Sequence, residues 1–524
     1  MTKANKVTAY CIKDGIDKAD IIKEKVKSCE LYGGTLFYKD KPTVSPAWVK
    51  DFFYDDDKIR KLFKAASSQA VYIKSIKIDG QERFFAMGFG AGHHLLDKST
   101  IVPNFGLKTV LNIIDEKNIK KVDTHNISSV PKHKSEQITK SSELQDFSLN
   151  VETDILMGIT GEIHKGNTPE LYELFGANIT GKDSIAASVR FDAQSIDEFL
   201  KKLYEYSISG KYKEKGFGWI DNIKRISKKD AIIPILNAEL DAQLTYYDDL
   251  DDKIWIAVPE IIQWEEIKGF KYKKITNDKE VQNISLSDLG QDLSMEVLQK
   301  IRVQAVDANG EKKYEWSALQ CLYAEIDVDA HTYMYINSNW YEIDTDFETY
   351  INESYKKILG KDAPQIPWIE TKFLSERDYN EALAKKIPSA ICMDANNVFI
   401  GGGGSRVEFC DVFDVKNSNI IHVKNYAGSA VLSHLFNQGY VSATLLRNDE
   451  KFREAVTTKI RKTIQDFKFG DRDCNIIFAI LQKKSKRNSD CLPFFSKVTL
   501  NNIISLIDNI KGFNAFVKIV RLEA

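Results

Sequence analysis

The feature that most constrains this chain is a carboxylate set inside an apolar row. In Arg406-Val-Glu408-Phe-Cys-Asp411-Val-Phe-Asp414 a strand would turn Val407, Phe409, Asp411 and Phe413 to one face, because residues two apart share a face. An ionised carboxylate is costly to remove from water, so Asp411 needs a partner. The next strand, Asn419-Ile-Ile-His422-Val-Lys424, places Ile420, His422 and Lys424 on one face. If the two strands are neighbours, Asp411, His422 and Lys424 converge.

The elements around that pair follow from hydrophobic period and turn residues. Pro364–Pro367 marks a boundary. After it the pattern predicts a helix over Glu376–Lys386 and strands over Ser389–Met393, Val398–Ile400, Arg406–Phe413 and Asn419–Lys424. Helices at Ser429–Leu446 and Lys451–Phe467 follow, then a strand at Asn475–Leu481, a helix at Leu500–Ile510 and a strand at Ala515–Leu522. The order is α-β-β-β-α with further α and β additions. Gly401-Gly-Gly-Gly-Ser405 lies between strands and reads as a native hairpin loop.

Upstream, Val7–Ile12 and Gly33–Tyr38 read as strands and Lys18–Leu31 as a helix. Val71–Ile78 and Arg83–Phe89 flank Asp79-Gly80, a hairpin signal. Asn118–Phe147 is polar and reads as a linker. A length of 524 residues corresponds to about three to five domains. The expected division is a mixed α/β domain over 1–147, an α+β domain over 148–366 and a third domain over 367–524. The expected class is α+β and multidomain.

Hydrophobic residues make up 43% and charged residues 28%, the balance of a well-cored globular chain. Net charge is −2, too small to draw the whole molecule onto a polyanion. From Gly401 to Ala524, however, 19 Lys and Arg stand against 12 Asp and Glu, a basic region that points to a polyanionic partner at that end. Seven cysteines without a CxxC pair read as reduced, buried thiols. No apolar run approaches the roughly 18 residues of a membrane span. The expectation is a soluble cytoplasmic protein that does not engage membrane.

The chemistry suited to Asp411 and Lys424 is metal-dependent phosphodiester hydrolysis. Asp411 and a second group, drawn from Glu408, His422, Glu381 or Glu376, would hold Mg²⁺ or Mn²⁺. Lys424 would orient and activate the water, and Gln438, on the following helix, would steady the site. His434 shares that helix face, four residues earlier. The bland readings are a strand-to-strand ion pair for Asp411 and Lys424, a satisfied strand histidine for His422, and helix-to-sheet hydrogen bonds for His434 and Gln438. Asp394 reads as a turn former with a carboxylate in reserve. Lys483, Lys484, Lys486 and Arg487 form a basic loop, either simply solvated or touching a phosphate backbone. Gly88-Phe-Gly-Ala-Gly-His-His lacks the lysine and hydroxyl of a phosphate loop and reads as a tight turn. The adjacent His93 and His94 point to opposite sides of an extended chain and are poorly placed to share a metal.

A strand-borne Asp, a hydrophobic strand ending in x-Lys and a helix with Gln resemble the PD-(D/E)XK nuclease core. The resemblance implies a restriction-endonuclease-like C-terminal domain. In that family an Asp and an acidic residue two before the Lys bind metal. Asp411 and Lys424 match, whereas His422 stands where the second carboxylate belongs. A broader resemblance covers nearly the whole chain. It rests on Arg83-Phe-Phe-Ala-Met-Gly-Phe-Gly-Ala-Gly-His-His-Leu-Leu-Asp97, Phe105-Gly-Leu-Lys-Thr-Val-Leu-Asn-Ile-Ile-Asp115, Val258-Pro-Glu-Ile-Ile-Gln-Trp264, Cys321-Leu-Tyr-Ala-Glu325, Trp340-Tyr-Glu-Ile-Asp344 and Ser433-His-Leu-Phe-Asn-Gln-Gly439. Together they are similar to the "sporadically distributed" bacterial proteins of mobile elements and defence islands. That resemblance implies a bacterial host and an anti-phage context, and it supplies no catalytic residues. The resulting expectation is a defence nuclease acting on invading nucleic acid, DNA in preference to RNA. It would answer to a phage-derived trigger or a defence partner protein, and homo-oligomeric assembly is open. The alternative is a nuclease-fold relic that binds nucleic acid or a partner protein without cutting.

Overall fold

The computed structural model describes the chain outside residues 1–4, 40–48, 50–56, 63–67, 127–131, 143–145, 148, 191, 247–252, 258–266, 274–277, 282–285, 291, 368, 370–374, 395–397, 401–404, 427, 471–472, 484–491 and 523–524. The fold is α+β, with helices packed on several largely antiparallel sheets. It divides into two compact units. The first comprises Met1–His125, His133–Asp221 and Ser227–Lys229, and the second Asn126–Lys132, Asn222–Ile226 and Asp230–Ala524.

The first unit is built on a ten-stranded sheet. Its strand Asn5–Cys11 sits between Gln81–Gly90 and Ile185–Val189, antiparallel to both. The Asp79-Gly80 hairpin joins Gln69–Ile78 to Gln81–Gly90, and both turn residues have positive φ, +50° and +79°, as its tight turn requires. Two expectations are corrected. Lys18–Leu31 is not one helix: a short 3-10 turn at Lys18–Ile21 precedes a strand at Lys27–Leu31. That strand pairs with Gly34–Lys39 through a turn at Tyr32 and Gly33, both at positive φ. Asn118–Phe147 is not a linker: it contains the strands Ile119–Asn126 and Lys132–Ser142, and the latter closes the edge of the ten-stranded sheet. A polar edge strand needs no apolar signature. The expected boundary at 147 likewise falls within one sheet, since Asp154–Glu162, Asn178–Gly181 and Ile185–Val189 join the strands before it. The helix Phe105–Ile113, buried at every residue except Lys108, packs backbone to backbone on these later strands. A Cβ on Gly106 would lie 1.9 Å from the Ser184 carbonyl oxygen.

Among the described residues the second unit holds three larger sheets. One has the antiparallel order Ile223–Arg225, Asn339–Ile343, His331–Ile336, Leu322–Val328, Ile254–Ile256. A four-stranded sheet follows around Arg302–Val306. The C-terminal part contributes, in chain order, α1 (Thr345–Leu359), α2 (Glu376–Lys386), β1 (Ala390–Cys392), β2 (Val412–Asp414), β3 (Asn419–Asn425), α3 (Gly428–Asn448), α4 (Glu450–Arg461), β4 (Cys474–Lys483), α5 (Phe494–Asp508) and β5 (Phe513–Leu522). The strands form one sheet in the order β1-β2-β3-β4-β5, antiparallel from β1 to β3 and parallel from β3 to β5. A small hairpin of Val398–Ile400 and Ser405–Val407 stands between β1 and β2.

Strand alternation sets the layers. Phe413, Ile420, Ile476, Phe478 and Ile480 pack with side chains of α3, α4, α5 and α1 in one core. Val412, Ile421, Val423, Ile477 and Ala479 pack with Tyr379 and Leu383 of α2 in another. Close approach of α3 depends on Gly439, whose added Cβ would fall 2.4 Å from the Phe478 ring. The proline-flanked segment near 366 separates sheets but not compact units. Buried Glu325, on Leu322–Val328, accepts the backbone N–H groups of Phe494 and Phe495 at 2.7 and 3.0 Å. It satisfies donors that the first turn of a helix leaves open. Among the described residues no helix is long and apolar enough to cross a membrane.

Candidate functional site

The strand expected over Arg406–Phe413 is broken. Ser405–Val407 belongs to the small hairpin, β2 starts only at Val412, and Glu408–Asp411 takes no regular form. The break decides the chemistry. In a continuous strand, residues three apart, such as Glu408 and Asp411, would face opposite sides. Here Phe409 and Cys410 sink into the core, the Phe409 carbonyl accepts the Ser442 hydroxyl of α3 at 2.8 Å, and both acidic side chains reach one place.

Asp411 is fastened at three points. Its N–H donates to the Ile421 carbonyl at 3.1 Å, and its carbonyl accepts the N–H groups of Met393 and Asp394 at 2.7 and 3.2 Å. Its carboxylate accepts the Val423 N–H at 2.7 Å, serving a β3 donor that the end of β2 leaves without a ladder partner. Asp394 lies two residues past the end of β1, and one carboxylate oxygen from each of Asp394, Glu408 and Asp411 lies within 4.8 Å of the others. Asn380 of α2, itself buried, donates its Nδ2 to Asp394 at 3.3 Å, and its Oδ1 has no partner among the described residues.

Burial drives the Asp411 pKa up to about 7. The Val423 hydrogen bond opposes this, the charges on Glu408 and Asp394 reinforce it, and Lys424 pulls weakly the other way. Three half-buried carboxylates offering hard oxygen donors match what Mg²⁺ and Mn²⁺ select. A divalent cation would also relieve the repulsion that raises Asp411. Asp394, Glu408 and Asp411 are therefore the residues that would hold such an ion.

Lys424 lies near enough to act on Asp411, but its ammonium is 2.9 Å from Glu376. Glu376 opens α2 behind the Ser375 cap and also accepts the Asn425 N–H at 3.3 Å. It thereby binds the lysine end of β3 to the helix carrying Asn380. His422 is not brought to the carboxylates. Its ring is buried, its Nε2 has no partner among the described residues, and it lies 6.2 Å from the Phe478 ring; burial lowers its pKa to about 3. Glu381 pairs with Arg377 one turn away at 3.3 Å and is not one of the three clustered acids. Gln438 is half-buried and His434 exposed on α3, and His434 is not one of the clustered groups. Lys484, Lys486 and Arg487 lie outside the described residues, as does the Lys483 side chain.

Asn380 is absent from the sequence reading, although its spacing of four from Glu376 puts both on one helical face. Asp394, read as a turn former, is the third acid. In the first unit, the His93 and His94 rings lie 4.0 Å apart, tilted by 39°, in a short turn. The glycines there serve close packing, since a Cβ on Gly92 would lie 1.9 Å from the Ala70 carbonyl oxygen.

An α+β chain with a three-acid site at a sheet end is the class defined by this geometry. Residues 7–521 match a family of unknown function, DUF6119, and the chain belongs to that family. No curated protein and no solved structure matches the chain.

Proposed function

We propose that this chain is a metal-dependent nuclease of bacterial anti-phage defence that hydrolyses phosphodiester bonds of invading nucleic acid, DNA in preference to RNA, in the cytoplasm. The observation that carries the proposal is the convergence of Asp394, Glu408 and Asp411, from the segments that follow β1 and precede β2, beside Lys424 of β3, in a sheet whose elements run α-β-β-β-α-α-β. That order supports the restriction-endonuclease-like reading of the C-terminal part. The anti-phage context rests on the resemblance to defence-island proteins.

In this reading the three acids hold Mg²⁺ or Mn²⁺, which supplies charge neutralisation and an acidified water when bound. Asn380 fixes Asp394. Lys424, positioned by Glu376, offers its ammonium to the charge that develops on the phosphate. The Asp411 carboxyl changes protonation near neutrality, so metal loading rises with pH through about 7.

A second reading has an observation of its own. His422 occupies the position two before Lys424 and turns into the core, and Lys424 is already paired with Glu376. A relic that binds nucleic acid or a defence partner without cutting is consistent with both.

The test incubates wild type, Asp411→Asn and Lys424→Ala with plasmid DNA, phage DNA and RNA in EDTA, Mg²⁺ or Mn²⁺. Metal-dependent cleavage by wild type alone is expected. Phage protection that survives in folded Asp411→Asn and Lys424→Ala strains would replace this proposal with the binding reading.

A further inference from the structure

A second feature of the C-terminal sheet lies at the other end of β2. There a cavity of about 250 Å³ is lined by Phe413, Phe467, Phe469, Lys416, Lys468 and Cys474, among others. Asn419 opens β3 at this end, whereas the carboxylates gather near Val423. Four residues of strand separate the two places by roughly 13 Å.

The three phenylalanines form a connected cluster. Phe467 and Phe469 lie 5.0 Å apart, and Phe413 stands 5.9 Å from Phe467 and 6.0 Å from Phe469. Phe413 and Phe467 are buried, but Phe469 is only half-buried, so the aromatic wall continues to the surface. An ordinary core would finish such a wall with another apolar side chain. Here the remaining lining includes two exposed lysines, Lys416 and Lys468, and Gly470, where an added Cβ would meet nothing within 4 Å. An aromatic wall suits a flat π-system, and two lysines in the same lining suit an anion tethered to it.

We propose that this pocket binds a nucleotide, its base against Phe469 and its phosphate between Lys416 and Lys468. The ligand is either a free nucleotide or one nucleotide of a single strand. The site goes beyond the carboxylate cluster and needs no metal, so it stands or falls separately from the nuclease reading.

The test titrates the full chain, in EDTA, into 2-aminopurine riboside 5′-monophosphate, the riboside without phosphate, and a single-stranded DNA oligonucleotide carrying one 2-aminopurine. Stacking quenches the probe's fluorescence. Saturable quenching of the monophosphate is expected, with affinity for the riboside at least about fivefold weaker. Phe469→Ala weakens binding at least about fivefold, the scale of one stacked base, and Phe469→Tyr restores it. Lys468→Glu, an exposed change that leaves the melting curve in place, weakens the monophosphate and flattens the oligonucleotide's salt dependence. An oligonucleotide that binds tighter than the monophosphate identifies a strand as the source, and equal or weaker binding identifies the free nucleotide. Absence of saturable quenching with all three probes, or unchanged affinity in both Phe469→Ala and Lys468→Glu, overturns the proposal.

Discussion

Replacing Asp411 by Asn should stabilise the protein while abolishing any metal-dependent activity. The amide oxygen can still accept the Val423 N–H, which the carboxylate now takes at 2.7 Å, so the fastening at the end of β2 survives. What disappears is a charge held against burial and two neighbouring acids. Asp411 keeps its proton to about pH 7 against the ordinary 3.8. Below about pH 4 both folded and unfolded chains are protonated there. Between about 4 and 7 the folded chain holds a proton that the unfolded one has released, so stability falls as pH rises. Above about 7 the loss is complete. A gap of about 3 pH units at 1.36 kcal/mol each is about 4 kcal/mol. For a unit of about 300 residues, at about 2.1 cal/mol/K per residue, that corresponds to roughly 6 °C in melting temperature. Scanning calorimetry in EDTA at pH 5 and pH 8 measures it. Asp411→Asn should pull ahead of wild type at pH 8 and much less at pH 5. Mg²⁺ should raise the wild-type transition at pH 8 and leave the mutant's nearly unmoved. Parallel pH profiles for the two proteins would refute the reasoning, because Asp411 would then ionise as freely folded as unfolded.

His422 should show the opposite slope. Its pKa is lowered from 6.5 to about 3, so the unfolded chain gains a proton that the folded one refuses, and stability falls as pH drops from about 6.5 toward 3. His422→Phe removes that component, seen as a smaller difference in urea midpoint between pH 7 and pH 4.5, and leaves cleavage unchanged. Gly439→Ala should cost about 1–3 kcal/mol by overpacking, because the new methyl would lie 2.4 Å from Phe478 and 2.9 Å from Ile476. Denaturant titration measures it, with Gly470→Ala as the near-neutral control.

Where one period ran unbroken, sequence and structure agree closely. The Asp79-Gly80 hairpin, the β3 strand and the long helix α3 sit within a residue or two of their expected limits. Lys27–Leu31 was hidden because its charges mimic a helical face, while the Tyr32-Gly33 turn, a nonlocal commitment, made it a strand. Lys132–Ser142 was hidden because an edge strand pairs through its backbone and carries no apolar alternation. At the site, Asp411, Glu408 and Lys424 were legible from spacing, but their grouping was not. It depends on a break at Glu408–Asp411 that core packing of Phe409 and Cys410 imposes, and on Asp394 and Asn380, which the fold supplies from other elements.

The place of Asn5–Cys11 in the middle of the ten-stranded sheet has a consequence during synthesis. One of its partners, Gln81–Gly90, follows soon, but the other, Ile185–Val189, is about 175 residues behind. At 5–20 residues per second the ribosome needs roughly 10–35 s to deliver it. Throughout that interval a strand destined for the interior has an open edge, with Val7 and Ala9 awaiting their cover. Nascent chains stalled between residues 90 and 185 are the form of this protein with most need of a chaperone.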